Sequence, residues 1–482
     1  MDLNYQMEET YPRAGATSSR ERFLSQSTNA GASKHRLHRP ALCPSAHRRF
    51  RSRLERYGIS RRASRRWRPC VNIFCGKGDN LGDIFFLFIF VQPLVSPTVP
   101  WVDIDMKESI IIRNFGPVNE IEISDIKPFT VFVGKSGIGK STVIKVIALF
   151  RWIFKRASLR AYLKLSNITV SPFKFDFREY IKNGGMEGYL KRSTEIIYSM
   201  GDCVISYSPA SGLSVGTIPS WEGISLEKIC FITDKRNILP DLTSGGTTIS
   251  IANFYLRELV KDYLDSVEKV NHMQLSYLDI DFSVNQSAPK ARRYMISGHD
   301  ADGEYRIKLQ DASSGTQTVV PLSVIVEYYS RRYDFVKVFN QSIVKALGES
   351  DNLAHFNGSR NIGDLPNRRV NFHIEEPELS LYPESQVQLL EFMIDALNYN
   401  ERDYTVSFAI ATHSPYLINH MNLLAKRYLT DSAETKLAFE RMAVYEIIDG
   451  YLNDLAVTER GIFDTSLLSE PIDSIYTEFN SL

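Results

Sequence analysis

Cysteine is scarce in this sequence, with 5 residues among 482. Three of them, Cys43, Cys70 and Cys75, precede residue 106, and no suitably placed histidines complete a metal-type spacing with them. Few, irregularly spaced cysteines are typical of proteins in a reducing compartment. We therefore expect a cytoplasmic protein.

Long hydrophobic runs are also missing. The apolar run in the first part of the chain is "DIFFLFIFVQPLV" (Asp83–Val95), in which Pro93 follows about a dozen residues. A helix that crosses a bilayer needs about 20. The run also lies too far into the chain for an ordinary signal peptide. The sequence therefore predicts no membrane span and no membrane partner.

The net charge is only +1, but the two parts of the chain differ strongly. Residues 1–105 carry 17 Lys and Arg against 9 Asp and Glu, and 15 of the 17 are Arg, whereas residues 106–482 carry 40 against 47. One interpretation of residues 1–105 is a basic, disordered extension that binds nucleic acid or acidic lipid. The interpretation we favour is that they are not native coding sequence, because "MKESIIIRNFGPVNEIEI" from Met106 reads like a natural start.

From Met106 on, the sequence has the regular hydrophobic patterns of strands and helices. "SIIIRNF" and "VNEIEIS" predict short strands around a Gly-Pro turn, and "FTVFVGKSGIGKSTVIKVIALFRWIF" predicts a strand, a glycine loop and a helix. The loop Gly134–Ser141 fits G-x-x-x-x-G-K-[ST] in full. Its backbone N–H groups and the helix N-terminus would hold phosphate, with Lys140 on the β- and γ-phosphates and Ser141 on magnesium. The sequence therefore predicts a nucleoside triphosphate site.

The candidate nucleotide-binding residues of this loop are Gly134, Lys135, Ser136, Gly137, Ile138, Gly139, Lys140, Ser141 and Thr142.

Two classes of phosphate-loop protein are disfavoured by the residues after the loop. A GTPase needs an N-K-x-D element, which is missing, and a small-molecule kinase is more compact. The next region looks like an insertion, with an amphipathic helix over Ile249–Val270 and a hairpin over 292–310 but no heptad array. In "CFITDKRNILP" we favour a solvated strand end, and the alternative is that Arg236 senses the nucleotide.

Three further motifs are weak when each is taken alone. Ser313–Gln317 ("SSGTQ") predicts a helix N-terminus that could hold an anion or could be only a cap. "VNFHIEEPELSLYP" is an apolar strand that ends in Glu375 and Glu376, and "TVSFAIATHSPYLINH" is one that ends in Thr412, His413 and Ser414. A strand that reaches solvent and a structural histidine are the simpler interpretations of the last two.

The order of the four motifs resembles the ABC-type ATPases. It is most similar to the RecF/SMC-like AAA proteins, among them the ATPase part of the OLD (overcoming lysogenization defect) nucleases. The resemblance covers most of residues 106–482 and implies an α/β fold: a P-loop NTPase of the ABC/SMC-head type. Its parts would be a phosphate-loop part (106–160), a helical and β insertion (161–300) and a part with the signature, Walker B and switch histidine (301–482). Residues 1–105 lie outside the resemblance, and we expect them to be a disordered N-terminal extension or not native coding sequence.

The resemblance also implies roles for particular residues. Glu375 would be the magnesium-side acid, where most P-loop proteins have Asp, and Glu376 the catalytic base. His413 would sense the γ-phosphate, which Lys140 would also contact. Residues Ser313, Ser314 and Gly315 would contact ATP on a second subunit, and Leu379–Pro383 would cross between the subunits. The expected protein is a magnesium-dependent ATPase that forms a homodimer around ATP.

The sequence is compatible with two hypotheses for the biological role of such an ATPase. One is DNA repair or anti-phage defence, with DNA or a separate nuclease or effector as partner; the other is a nucleotide-gated binding module with little turnover. A transporter subunit is disfavoured by "EEPE" and the insertion. "KARR" (Lys290–Arg293) is too little to indicate DNA binding. The 69 residues after His413 show no recognisable nuclease. They predict a strand hairpin and a docked terminal helix from Pro471 on, with an apolar face formed by Ile472, Ile475, Tyr476 and Phe479.

Overall fold

A mixed β-sheet lies at the centre of the described part of the chain, which comprises residues 106–168, 176–218, 220–244, 251–288, 291–300, 303–348, 362–430 and 435–482 of a computed structural model. The expectation for residues 1–105 lies outside the described residues.

The strands, in chain order, are β1 (Glu108–Phe115), β2 (Val118–Ile123), β3 (Phe129–Val133), β4 (Leu190–Met200), β5 (Cys203–Ser208), β6 (Gly212–Val215), β7 (Ser225–Ile232), β8 (His272–Leu275), β9 (Ile280–Ala288), β10 (Ala291–Asp300), β11 (Gly303–Lys308), β12 (Asn367–Glu375), β13 (Thr405–Ala411), β14 (Met442–Ile448), β15 (Tyr451–Asp454), β16 (Ala456–Val457) and β17 (Ile462–Phe463).

The central sheet has a parallel part and an antiparallel part. Among the described residues its eleven strands follow the order β6-β5-β4-β1-β2-β15-β14-β3-β13-β12-β7. The neighbours from β14 to β7 pair in parallel. All five residues of β3 are buried, as expected for a parallel strand covered on both faces. By contrast, β1, β2, β4, β5 and β6 form an antiparallel extension.

The range 161–300, predicted as an insertion, divides between two sheets. β4, β5, β6 and β7 belong to the central sheet, whereas β8, β9 and β10 join β11 in a separate antiparallel sheet. β7 pairs in parallel with β12 at the end of the central sheet, and seven of its eight residues are buried although it is the last strand there. The predicted hairpin is present as β10 and β11.

The helices are α1 (Lys140–Leu165), α2 (Phe177–Asn183), α3 (Leu239–Ser244), α4 (Phe254–Lys269), α5 (Ser314–Arg331), α6 (Phe335–Gly348), α7 (Pro383–Asn398), α8 (Pro415–Leu429) and α9 (Ser466–Ser481). The helix predicted over Ile249–Val270 begins later, at Phe254, because the side chain of Asn253 caps it by accepting a hydrogen bond from the N–H of Leu256. None of the described helices is long and apolar enough to cross a membrane.

Helix α1 contacts strands of both the parallel and the antiparallel part of the sheet and carries a buried ion pair. Arg151 donates hydrogen bonds of 2.7 and 2.9 Å to the two carboxylate oxygens of Glu108 in β1. The hydroxyl of Tyr198 donates to the same carboxylate at 2.7 Å. Burial opposes ionisation of Glu108, but the charges of Arg151 and Arg369 outweigh it and lower the pKa to about 2. The pair therefore fixes α1 against the antiparallel part of the sheet.

The predicted strand hairpin near the C-terminus is present as β14 and β15, but the prediction of a docked terminal helix is wrong in detail. Helix α9 begins at Ser466, five residues before Pro471. Ile475, Tyr476 and Phe479 are 67%, 63% and 73% exposed. The spacing of these apolar residues correctly predicts a helix with one apolar face, but it carries no information about whether that face meets the rest of the chain.

Candidate functional site

The predicted site residues lie at the carboxyl ends of neighbouring parallel strands. Gly134 follows β3, Glu375 ends β12, and Thr412 and His413 follow β13, which lies between β3 and β12. The N–H of Thr412 donates to the carbonyl of Phe132 at 3.0 Å, and that of Glu376 donates to the carbonyl of Ala411 at 2.8 Å. In open α/β sheets this edge is where ligands bind. The fold therefore brings three of the four motifs to one place.

The phosphate loop adopts a conformation that depends on its glycines. Gly134 has φ +133° and Gly139 has φ +113°, both in the left-handed region. A Cβ at Gly134 would lie 2.5 Å from Ile138 Cδ1 and 2.7 Å from the carbonyl oxygen of Ile447. A side chain at this position would therefore both strain the backbone and displace its neighbours.

Lys140 closes the loop on itself. Its Nζ donates to the carbonyl oxygens of Gly134 at 2.9 Å and Lys135 at 2.8 Å. Burial lowers the pKa of Lys140, and the charges of Glu376 and Glu378 oppose that effect. The ammonium group therefore lies within electrostatic reach of the two carboxylates that follow β12.

Glu375 is buried and ion-paired. Its Oε1 lies 3.0 Å from the Nζ of Lys145, one turn further along α1 than Lys140. Most phosphate-loop proteins have Asp at this position. Here the longer side chain of Glu375 pairs with a cation, Lys145. Lys145 was not among the predicted site residues; its place on the first turns of α1 was the available signal.

Glu376 has an uncommon backbone conformation. Its φ is +45°, which is rare for a residue with a side chain and marks local strain. Its Oε1 lies 4.0 Å from the Nε2 of His413. Both side chains are partly exposed, so the carboxylate and the imidazole share an open position at the edge of the sheet.

Glu378 connects the loop after β12 with the loop after β13. Its Oε1 accepts a 2.7 Å hydrogen bond from the backbone N–H of His413. Its Oε2 is buried and has no hydrogen-bond partner among the described residues. A second connection uses Gln386, which donates to the carbonyl of Leu381 at 2.9 Å and accepts from the hydroxyl of Ser414 at 2.6 Å. The two loops therefore form one bonded unit.

Arg236 contacts the loop after β12 and is fully buried. Asp234 and Lys235 are exposed, as a solvated strand end predicts, but for Arg236 that prediction is wrong. Its guanidinium donates to backbone carbonyls, those of Glu375 at 2.8 Å and Glu376 at 2.6 Å among them. The sequence pattern indicated Arg236 only as a nucleotide sensor, because the short stretch at the strand end contains nothing that specifies carbonyl partners about 140 positions later.

The Ser-Ser-Gly motif begins α5 as predicted. Ser313 is the N-cap, and its hydroxyl accepts from the N–H of Thr316 at 3.3 Å. Ser314 is exposed, while a Cβ on Gly315 would lie 2.6 Å from the carbonyl oxygen of Ser380. Among the described residues, the hydrogen bonds of this motif reach its own helix and none reaches the phosphate loop. The motif is thus packed on the loop after β12 through Gly315, while Ser313 and Ser314 are both exposed.

The chemistry available at this edge is that of phosphate binding and water activation. Main-chain N–H groups at the start of α1 and the ammonium of Lys140 suit an anion. Glu376 and His413 offer an acceptor and a donor for protons, and no covalent nucleophile is required for phosphoryl transfer. Together, the parallel core and this loop define the class of the protein: an α/β phosphate-loop NTPase, which is the fold predicted from the sequence.

Comparison with known families agrees with this class. Residues 106–186 match the family model described as the AAA ATPase domain. That range contains β1, β2, β3, the phosphate loop and α1. A comparison with curated proteins gives no match.

Solved structures with a similar fold include heads of SMC proteins and RecF. An SMC head bound to the C-winged helix domain of ScpA has 10% sequence identity, covers 73% of this chain and 98% of its own, and has a TM-score of 0.33. The SMC head domain from Thermotoga maritima has 12% identity, coverage of 73% and 98% and a TM-score of 0.31. The recombination mediator protein RecF has 10% identity, coverage of 73% and 99% and a TM-score of 0.28.

Proposed function

We propose that the chain binds ATP at the edge of β3, β13 and β12 and hydrolyses it. The observation that carries this proposal is that a complete phosphate loop meets Glu376 and His413, whose side chains lie 4.0 Å apart. Lys140 would bind the β- and γ-phosphates, Glu376 would take the proton of the attacking water, and His413 would hold the γ-phosphate. Positioning and charge stabilisation then supply most of the rate enhancement.

The residues near the loop also suit magnesium. Mg²⁺ prefers oxygen ligands and is usually held by one or two side chains together with substrate phosphates. Ser141 and Glu375 provide a hydroxyl and a carboxylate, and only Oε1 of Glu375 is engaged by Lys145. When bound, the ion would neutralise charge on the phosphates. The proposed magnesium residues are therefore Ser141 and Glu375.

We further propose that the active form is a homodimer in which Ser313, Ser314 and Gly315 of one chain contact ATP on the other. The exposed Ser314 supports this, because the free N–H groups of a helix N-terminus are suited to a phosphate. Tyr382 and Tyr416 lie next to the two site loops and are 75% and 49% exposed. Exposed aromatic side chains of this kind are typical of contact surfaces. Two-fold symmetry would complete two sites at once.

A phosphate-release assay on the purified chain with Mg²⁺ and ATP tests the first proposal. We expect turnover in the wild-type protein and none in a Lys140→Ala variant, with nucleotide binding weakened in the variant. Wild-type protein that binds no labelled ATP would overturn the proposal.

A second candidate function is a nucleotide-gated binding module with little turnover. The observation that favours it is the ion pair between Glu375 and Lys145, which engages the proposed magnesium-side acid. ATP binding and dimerisation without measurable phosphate release would select this alternative.

For the biological setting we propose DNA repair or anti-phage defence, on the motif resemblance to RecF/SMC-like proteins and OLD ATPases. DNA or a separate nuclease or effector would be the partner. Hydrolysis that duplex or single-stranded DNA stimulates would support this setting, and equal rates with and without both would count against it.

A further inference from the structure

Arg236 uses every N–H group of its guanidinium. Nε donates one hydrogen bond at 3.1 Å, Nη1 donates two at 3.2 and 2.8 Å, and Nη2 donates two at 2.6 and 3.3 Å. The acceptors are the backbone carbonyl oxygens of Thr318, Thr233, Glu375, Glu376 and Pro377. An arginine side chain has five such donors, so this buried group is fully satisfied by main chain alone.

The charge of the buried Arg236 is maintained by nearby carboxylates and stabilises one particular turn of backbone. Burial lowers the pKa of Arg236 to about 10, and the carboxylates of Glu378, Asp234, Glu376 and Glu375 oppose that effect. The group stays charged at neutral pH, and its charge strengthens each bond to a carbonyl. Three of its five bonds converge on consecutive residues, Glu375 to Pro377, at the point where Glu376 takes its left-handed conformation. Such strain persists only where the surroundings fix the backbone.

The remaining bonds lead away from that turn. Nε reaches the carbonyl of Thr318 in the first turns of α5, the helix that begins at the Ser-Ser-Gly motif. The hydroxyl of Thr318 in turn donates to the carbonyl of Leu379 at 3.0 Å. Gly315 packs against the carbonyl of Ser380. The start of α5 and the loop that carries Glu376 are therefore held together by Arg236 and Thr318.

We propose that Arg236 is a positioning residue that couples the position of α5 to the position of the Glu376 carboxylate. The inference rests on the proposed ATPase function. When Ser314 of α5 meets the nucleotide of a second chain, the fixed helix would fix the turn at Glu376, so that water activation follows dimer closure. The side chain of Arg236 is fully buried and donates to main-chain carbonyls, so it acts through the backbone, and its loss should lower turnover while leaving nucleotide binding in place.

Arg402 offers a matched control. Among the described residues its guanidinium, too, donates to backbone carbonyls, those of Ala396 at 2.6 Å, Leu397 at 2.7 Å, Tyr404 at 2.9 Å and Ser330 at 3.1 Å. Burial lowers its pKa to about 10, as for Arg236. It precedes β13, whereas the site follows that strand. A Lys at either position removes a similar set of bonds, but only one set belongs to the site.

The test compares wild type, Arg236→Lys and Arg402→Lys for ATP dissociation constant, kcat, KM and thermal unfolding. A displacement of about 1 Å can cost about 100-fold in rate, and we expect a fall of that order in kcat for Arg236→Lys. Its ATP dissociation constant should stay within about threefold, and Arg402→Lys should change neither quantity by more than that. Equal kcat values for the two variants would overturn the coupling while leaving the ATPase proposal intact. A wild-type protein without turnover would overturn the ATPase proposal, and this inference with it.

Thr318→Val provides a second measurement where Arg236→Lys does not fold. It keeps the shape of the side chain and removes the hydroxyl bonds to Leu379 and Gly315. A fall in kcat with an unchanged ATP dissociation constant would support the coupling. A fall in ATP binding that matches the fall in kcat would contradict it.

Discussion

The backbone N–H of His413 donates a hydrogen bond of 2.7 Å to Oε1 of Glu378. The third acidic residue of "EEPE" thus fixes the start of the loop after β13, while Glu376 faces the imidazole of the same histidine. The segment after β12 therefore contacts His413 twice: Glu378 binds its backbone N–H, and Glu376 lies near its imidazole.

Replacement of Glu378 should show how much turnover depends on the hydrogen bond to the backbone of His413. Glu378→Ala removes the acceptor for the His413 N–H, and we expect kcat to fall about tenfold with a smaller change in ATP binding. Glu378→Gln keeps an oxygen acceptor and should retain more activity than the alanine variant. Phosphate release and labelled-ATP binding measure both quantities, and a glutamine variant as slow as the alanine variant would show that the charge matters instead.

Glu376→Gln should bind ATP but lose hydrolysis. The glutamine cannot accept the proton of the attacking water, so the ATP-bound dimer should accumulate. Size-exclusion chromatography with light scattering, with and without ATP and Mg²⁺, measures the dimer. Turnover at the wild-type rate in this variant would remove Glu376 from the role of base.

Lys145→Met should lower the magnesium requirement. The ammonium of Lys145 pairs with Oε1 of Glu375 at 3.0 Å and so competes with a metal for the same carboxylate. Without it, we expect the Mg²⁺ concentration for half-maximal ATP binding to fall about three- to tenfold. Lys145→Arg keeps the ion pair and serves as the control. A higher Mg²⁺ requirement in the methionine variant would contradict this competition.

Acid should weaken the fold through Glu108. Its pKa is about 2 in the folded protein and near 4.5 when unfolded, so its ion pair stabilises fully above about pH 4.5. As the pH falls from there toward 2, about 3 kcal/mol of this contribution is lost. Denaturant unfolding of wild type and Glu108→Gln between pH 7 and pH 3 measures it. The stability difference between the two should shrink as the pH falls, and a constant difference would argue against this pair as the acid-sensitive element.

Local patterns were sufficient for the phosphate loop and its flanking elements. The glycine spacing, the strand before it and the helix after it are all encoded within about 30 consecutive residues, where sequence periodicity is informative. Roles for the carboxylates and the histidine could be proposed only from the order of the motifs along the chain, which resembles that of a known family.

The relationships across the site could not be read in the same way. Lys145 reaches Glu375, and Arg236 reaches Glu376, across separations of more than 100 residues, and nothing in either local stretch specifies the partner. The exposed apolar face of α9 shows the same limit, since periodicity describes a helix face but not its neighbour.

The position of β14 has a consequence for how this chain is made. The strand lies between β3 and β15 and connects the parallel part of the sheet to β1 and β2, yet it is encoded more than 300 residues after β3. During synthesis the first strands leave the ribosome without the neighbour that joins them to the rest. Pairings of such high sequence separation form slowly, so nascent chains expose strand edges for most of their translation. Chaperone dependence during expression, rather than low final stability, is the expected practical signature of this topology.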